Sequence, residues 1–172
     1  MAYVNKYDEG GKCSKEGHNA EDVFCSIATS KGYIVKPSDK KDNMYKHIDF
    51  YLEGKNKTVS VDIKARKRTA RNDKKFNDEW IWLELKNVQG RKGWVYGDAD
   101  FIVFERQEDF VLAPRKSLLK LINEEVRFDL SLVERAFQAK YRIYQRKGRR
   151  DQITQVKIED ILQTKGVILW KK

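Results

Sequence analysis

No run of apolar residues in this 172-residue chain exceeds about four, far short of the ~20 that a helical membrane span requires. Proline occurs twice and glycine ten times. No stretch is rich in Pro, Gly or Ser and none repeats itself, so neither a flexible linker nor a repeat array is indicated. The two cysteines, Cys13 and Cys25, are too few for a disulfide framework. A zinc site from Cys13, His18 and Cys25 lacks a fourth ligand and a paired C-x-x-C spacing, so Cys25 reads as a small buried helix residue. Acidic residues are in deficit: 26 Asp and Glu face 36 Lys and Arg, for a net charge of +10.

Aromatic residues are plentiful at 12%, four of them Trp, which excludes a disordered tail. The length suits one compact domain, residues 1–172, with a real core. Met1 to Gly10 carries Lys6, Asp8 and Glu9 without an apolar stretch, so an intracellular, cytoplasmic protein without a signal peptide or membrane span is expected. The positive surplus favours a polyanionic partner, nucleic acid before others. It is clustered: Lys64, Arg66, Lys67, Arg68, Arg71, Lys74 and Lys75 crowd one stretch, and Arg146, Lys147, Arg149 and Arg150 another. The alternative is a solvated face.

Asn19 is expected to cap a helix from Ala20, with Val23, Phe24, Ile27 and Ala28 as its apolar stripe and Gly32 as its stop. Alternation over His47 to Leu52 and over Thr58 to Lys64 predicts two strands joined by a turn at Glu53 to Lys57. Further strands are expected at Trp80 to Lys86, Asp100 to Glu105 and Phe110 to Ala113, then a helix opened by Pro114. The last third predicts a helix near Leu130 to Ala139 and a hairpin about Gly148 joining Tyr141–Tyr144 to Gln152–Val156. A short helix through Ile158 and Leu162 and a final strand Val167 to Trp170 follow. The fold class is α/β or α+β, a mixed central sheet flanked by helices. The core spans about 19–113, with a helical and hairpin extension over about 114–172.

Centring the turn on Lys55 and Asn56 places Asp49 opposite Asp62 and His47 opposite Lys64. Like charges directly opposite destabilise an antiparallel pair, and a divalent cation between two hard carboxylates removes the conflict. Lys64 lies two residues beyond Asp62, on the same face. The alternative is that both acids are solvated residues on an open sheet face and Lys64 an edge charge.

Asp49, followed after a hairpin by Asp62-Ile63-Lys64, resembles the motif of the PD-(D/E)XK nucleases, the restriction-endonuclease-like superfamily that includes recombination nucleases and junction resolvases. Glu21, on the helix before the first strand, is similar to the additional acid many members carry. The resemblance covers roughly Asn19 to Glu105. It departs in having Ile48 where the motif has Pro, and a basic stretch where a helix is expected after Lys64. It implies a restriction-endonuclease-like core and metal-assisted phosphodiester hydrolysis. Glu21, Asp49, Asp62 and Lys64 would be the catalytic set, and Glu21, Asp49, Asp62 and the main-chain carbonyl of Ile63 the ligands of Mg²⁺ or Mn²⁺. Glu21 in a first helical turn is also explained by the helix dipole alone.

DNA backbone contacts are expected from Arg66, Lys67, Arg68, Arg71, Arg91, Lys92, Arg146, Lys147 and Arg149. His47 and Glu84 are candidate accessory residues, with Glu84-Leu85-Lys86 as a competing E-x-K; His47 also reads as a half-buried structural residue. Trp94 and Tyr96 are candidates for base stacking, with core packing as the alternative fate of at least one. The expected function is a Mg²⁺-dependent DNA endonuclease on duplex or branched DNA. So short a chain leaves little room for a sequence-reading domain, so a homodimer recognising DNA structure is expected by analogy. The alternatives are a non-catalytic basic nucleic-acid-binding protein, and an exonuclease or RNase on the same core.

Overall fold

A computed structural model of the chain describes residues 11–70 and 73–172. A helix, α1 (Lys12–Ser30), leads into β1 (Ile34–Pro37), a short helix α2 (Lys40–Lys46), and the hairpin β2 (Phe50–Glu53) and β3 (Thr58–Lys64). The crossover from β3 carries β4 (Trp80–Lys86) and one three-ten turn at Trp94–Tyr96, and ends in β5 (Phe101–Glu105). Then come β6 (Asp109–Pro114), α3 (Arg115–Glu125), β7 (Gln152–Lys157), α4 (Ile158–Leu162) and β8 (Ile168–Lys171). The main sheet has six strands in the order β1-β2-β3-β5-β6-β8, antiparallel except for the parallel β3–β5 pair. β4 and β7 form a separate two-stranded antiparallel sheet.

The central strands are apolar on both faces because both faces are covered. Val61, Ile63, Val103 and Leu112 pack under Ala20, Phe24 and Ala28 of α1, with Phe110 and Trp170. The intervening Ile102, Phe104, Val111 and Ala113 face Leu83 and Leu85 of the small sheet, Leu118 and Ile122 of α3, and Ile161 of α4. Phe24 stacks on Trp170 at 5.2 Å and meets Phe110 edge-on at 5.4 Å. No helix among the described residues is long and apolar enough to cross a membrane.

Several expectations are corrected. α1 begins at Lys12, after Gly11 in the left-handed region, so Asn19 lies inside the helix rather than capping it. The strand expected from His47 begins at Phe50, because His47 ends α2 in the left-handed conformation (φ 54°). That helix is unforeseen although Asp39 caps it, its carboxylate accepting from Asp42 N at 2.7 Å. The helix expected over Leu130–Ala139 is absent beyond one three-ten turn, Ala136–Gln138. Main-chain bonds there go outward: Val133 N donates to Ile143 O at 2.9 Å, and Gln145 N donates to Val133 O at 3.1 Å. The hairpin about Gly148 (φ 73°) is present as reciprocal bonds between Tyr144 and Ile153.

Asp109, at the start of β6, shows how the end of that strand is secured. Its buried carboxylate takes two bonds from Arg106, each 2.7 Å, and lies 3.6 Å from Lys171. Burial alone would push this carboxyl up, but the Arg106 fork and Lys171 hold it below the ordinary value. Asp109→Ala is expected to destabilise the fold by about 3 kcal/mol at pH 7, the lower end for a broken buried pair because Arg106 is partly solvated. A depressed carboxyl contributes stability above its unfolded pKa near ~4 and loses it as pH falls through the folded value. Denaturant unfolding should therefore show the difference between wild type and variant shrinking from pH 7 to pH 3.

Candidate functional site

β2 and β3 pair in the register expected from a turn centred on Lys55 and Asn56: Phe50 with Val61, Tyr51 with Ser60, Leu52 with Val59, Glu53 with Thr58. At Asp49 the ladder shifts. Its N–H donates to Val61 O at 2.9 Å, and its Oδ2 accepts from Ile63 N at 2.7 Å, where a regular ladder would supply a carbonyl. Asp49 is therefore not a strand pair of Asp62, nor His47 of Lys64. The side chain of Asp49, rather than continued pairing, brings it within hydrogen-bonding reach of Asp62.

Asp49 is tied down on every side. Ser38 N donates to its carbonyl at 2.9 Å, and Asn43 Nδ2 donates to its Oδ1 at 2.8 Å. Ser38 Oγ and Asn43 Nδ2 also donate to the preceding carbonyl of Ile48. Asn43 lies on α2 and escaped the sequence reading. The signal that could have found it is Ser38-Asp39 ahead of Lys40, a helix start.

Asp62 is 2% exposed. Its Oδ1 lies 2.6 Å from Lys64 Nζ, and its Oδ2 is buried and accepts no hydrogen bond from any described residue. Burial, with Asp49 as acidic neighbour, pushes its carboxyl up to about 7 in spite of Lys64. Lys64 stands 4.7 Å over the ring of Trp94. Gly93 makes that placement: a Cβ there would lie 2.1 Å from Glu84 O, so only glycine lets the Trp94 turn sit so close on β4.

Glu21 lies in the middle of α1, so the helix-dipole explanation for an acid in the first turn falls away. It is half-buried, 3.5 Å from His18 Nδ1, and burial followed by the charge of Asp49 raises its pKa. Glu21, Asp49 and Asp62 thus form a chain of acids, each acting on the next. Among the described residues no group of three or more His, Cys, Asp or Glu is arranged to hold a metal ion as it stands, the Cys13, His18 and Cys25 set included. The residues still suit a hard cation. An orphaned buried carboxylate oxygen beside a second carboxylate is relieved by a proton or by a cation, and each oxygen of Asp49 accepts one hydrogen bond, from Asn43 Nδ2 and from Ile63 N. The carbonyl of Ile63 is next in the chain.

His47 is half-buried, its pKa lowered by burial and then by Lys64, with Asp49 and Asp98 opposing. Glu84 comes near Lys64 from the other sheet, its pKa raised by burial, with Trp94 N donating to its Oε1 at 3.4 Å. β4 pairs with β7, so the competing Glu84-x-Lys86 has no acidic partner strand beside it.

The basic candidates divide. Arg66 is bonded to Asp78 at 2.8 Å and lies over Phe76 at 4.6 Å. Arg68 forks onto Glu16 at 3.1 and 3.3 Å and lies over Phe76 at 4.1 Å. Arg66 thus ties the crossover to itself and Arg68 ties it to α1, so the stretch expected to track a phosphate backbone narrows to exposed Lys67, Lys74 and Lys75; Arg71 falls outside the described residues. Arg91 and Lys92 are exposed on the turn after β4, and Lys147 on the turn before β7, where Arg146 binds Asp151. Arg149, half-buried, follows, and the side chain of Arg150 lies over Gly90, so the two basic turns adjoin at one end of the small sheet. Tyr96 is half-buried against the core, whereas Trp94 lines a cleft beside Lys64.

Compared with known proteins, the chain matches no family model, no curated protein and no solved structure.

Proposed function

We propose that this protein is a Mg²⁺- or Mn²⁺-dependent nuclease of the PD-(D/E)XK type, hydrolysing phosphodiester bonds in DNA, and that its six-stranded sheet is a restriction-endonuclease-like core. The observation that carries the reading is the buried, donor-less Oδ2 of Asp62 beside Asp49, with Lys64 clamped on the other oxygen. The Arg146–Asp151 pair also leaves one buried carboxylate oxygen without a donor, so what distinguishes Asp62 is the second carboxylate, Asp49, beside it. The element order supports the core: a helix over one face, an antiparallel hairpin carrying Asp62 with Asp49 just ahead of its first strand, then a crossover to a parallel strand.

In this reading Asp49, Asp62 and the Ile63 carbonyl would hold the ion, with Glu21 acting on it through water. The bound ion would lower the pKa of a coordinated water and neutralise charge on the scissile phosphate. Asn43 and the Ile63 amide hold the Asp49 carboxylate in one orientation. Lys64, kept in place by Asp62 and the Trp94 face, orients the attacking water or stabilises the negative charge that develops on phosphate. Exposed Lys67, Arg91, Lys92 and Lys147 supply backbone attraction that weakens with salt.

A second reading, a basic nucleic-acid-binding protein without catalysis, is favoured by the lack of a ready three-residue metal cluster among the described residues. Labelled circular single-stranded, linear duplex and four-way-junction DNA, each with Mg²⁺, Mn²⁺ or EDTA, separates the two. Metal-dependent cutting supports the nuclease, and nicking of the circle makes it an endonuclease. RNA in place of DNA tests the RNase alternative. Binding without cutting under every condition leaves the second reading.

A further inference from the structure

We infer that the cleft beside Lys64 is a pocket for one unpaired nucleobase, so that the substrate strand is held with a base displaced from any duplex stack. The inference rests on the nuclease reading for its purpose, but its physical basis is separate. A cavity of ≈150 Å³ lies between the main sheet and the small sheet, lined by Trp80, Trp82 and Trp94, with Lys64 and Lys67 at its side and Asn77 and Glu84 as polar groups. A void of about this size accepts one aromatic ring.

Its chemistry is that of a stacking platform in a positive channel: indole faces take any base, cations take the phosphates on either side. Trp82 is positioned by its own hydrogen bond, Nε1 to Arg68 O at 3.1 Å, and by Tyr144 at 6.1 Å. Trp80 is held edge-on by Tyr141 at 5.7 Å and carries Lys140 at 4.5 Å over its ring, as Trp94 carries Lys64 at 4.7 Å, so Trp82 is the ring assigned to stack on the base. These rings are fixed before a ligand arrives, so little ordering is required on binding. Glu84 offers its second carboxylate oxygen as an acceptor to a base edge, while Asn77 is spent on shaping the wall, its Oδ1 accepting from Glu79 N and Trp80 N and its Nδ2 donating to Thr69 Oγ1. Lys64 lines both the pocket and the proposed site, so the two are continuous.

The test is intrinsic tryptophan fluorescence of the full chain in EDTA, titrated with a short oligo(dT), an abasic oligonucleotide of the same length and phosphate count, and a matched duplex. The expected result is quenching and tight binding with oligo(dT), with ~10-fold weaker binding to the abasic strand and to the duplex. Trp82→Leu should erase the preference for the base-bearing strand, and Trp82→Tyr should restore most of it; far-ultraviolet circular dichroism checks that both fold. Equal affinity for the base-bearing and abasic strands of wild type overturns the pocket even if DNA is cut. A base preference lost in Trp82→Leu upholds it even if no DNA is cut, so the two readings fail independently.

Discussion

Asp62→Asn is expected to abolish metal-dependent cleavage and at the same time to leave the fold more stable than wild type at pH 8 without divalent ion. The carboxyl is 2% exposed, one oxygen lacks a donor, and burial raises its pKa from 3.8 to about 7. The folded state therefore binds this proton more tightly than the unfolded chain does. Its contribution to stability is fully present below about pH 4 and is lost as pH rises through about 7. A shift of roughly three units at 1.36 kcal/mol each sets an upper bound near 4 kcal/mol. The amide forgoes the Lys64 ion pair, so a net gain of about 1–2 kcal/mol at pH 8 is expected, and near none at pH 4. Thermal melts across pH 4 to 8 decide it: a variant less stable than wild type at pH 8 would mean that Asp62 is a well-satisfied structural acid. Mg²⁺ should raise the melting temperature of wild type and leave that of the variant unchanged, since a ligand stabilises only the state that binds it.

Lys64→Ala should lower the single-turnover cleavage rate by ~10²–10³-fold or more, the usual consequence of removing a charge aimed at a developing oxyanion. DNA affinity should fall far less, with the slope of log K against log salt reduced by about one, as for one lost phosphate contact. Lys64→Arg keeps the charge but exchanges a compact ammonium for a planar fork, so rescue should be partial. Removing Lys64 also takes the cation from Asp62 Oδ1, 2.6 Å away, so Lys64→Ala should lose stability in the same pH range where Asp62→Asn gains it. Cleavage at the wild-type rate in Lys64→Ala would remove the catalytic reading.

The local pattern at this site was legible because it follows from period-two alternation. Val59, Val61 and Ile63 set β3, the turn at Lys55 and Asn56 set its register with β2, and Asp62 and Lys64 fall on one face as a consequence. Glu21 was legible as a candidate, although the start of its helix was misplaced by several residues, since Gly11 and the polar turns ahead of Asn19 carry no apolar stripe to mark it. His47 was misassigned for a related reason: alternation over His47 to Leu52 is equally compatible with a strand or with a helix cap running into one.

By itself, then, the sequence determined the mixed α/β class, the β2–β3 hairpin with its register, and the grouping of Asp62 with Lys64, all properties of neighbours along the chain. Tertiary structure alone decided what depends on distant segments meeting. It turned the Asp49 carboxylate onto the Ile63 amide, left Asp62 Oδ2 without a donor, and drew β4 out of the main sheet to pair with β7. It also spent Arg66 and Arg68 on Asp78 and Glu16 rather than on solvent. A charge's worth depends on its burial and on which opposite charge lies within a few ångströms, and neither quantity is written in residue type or spacing.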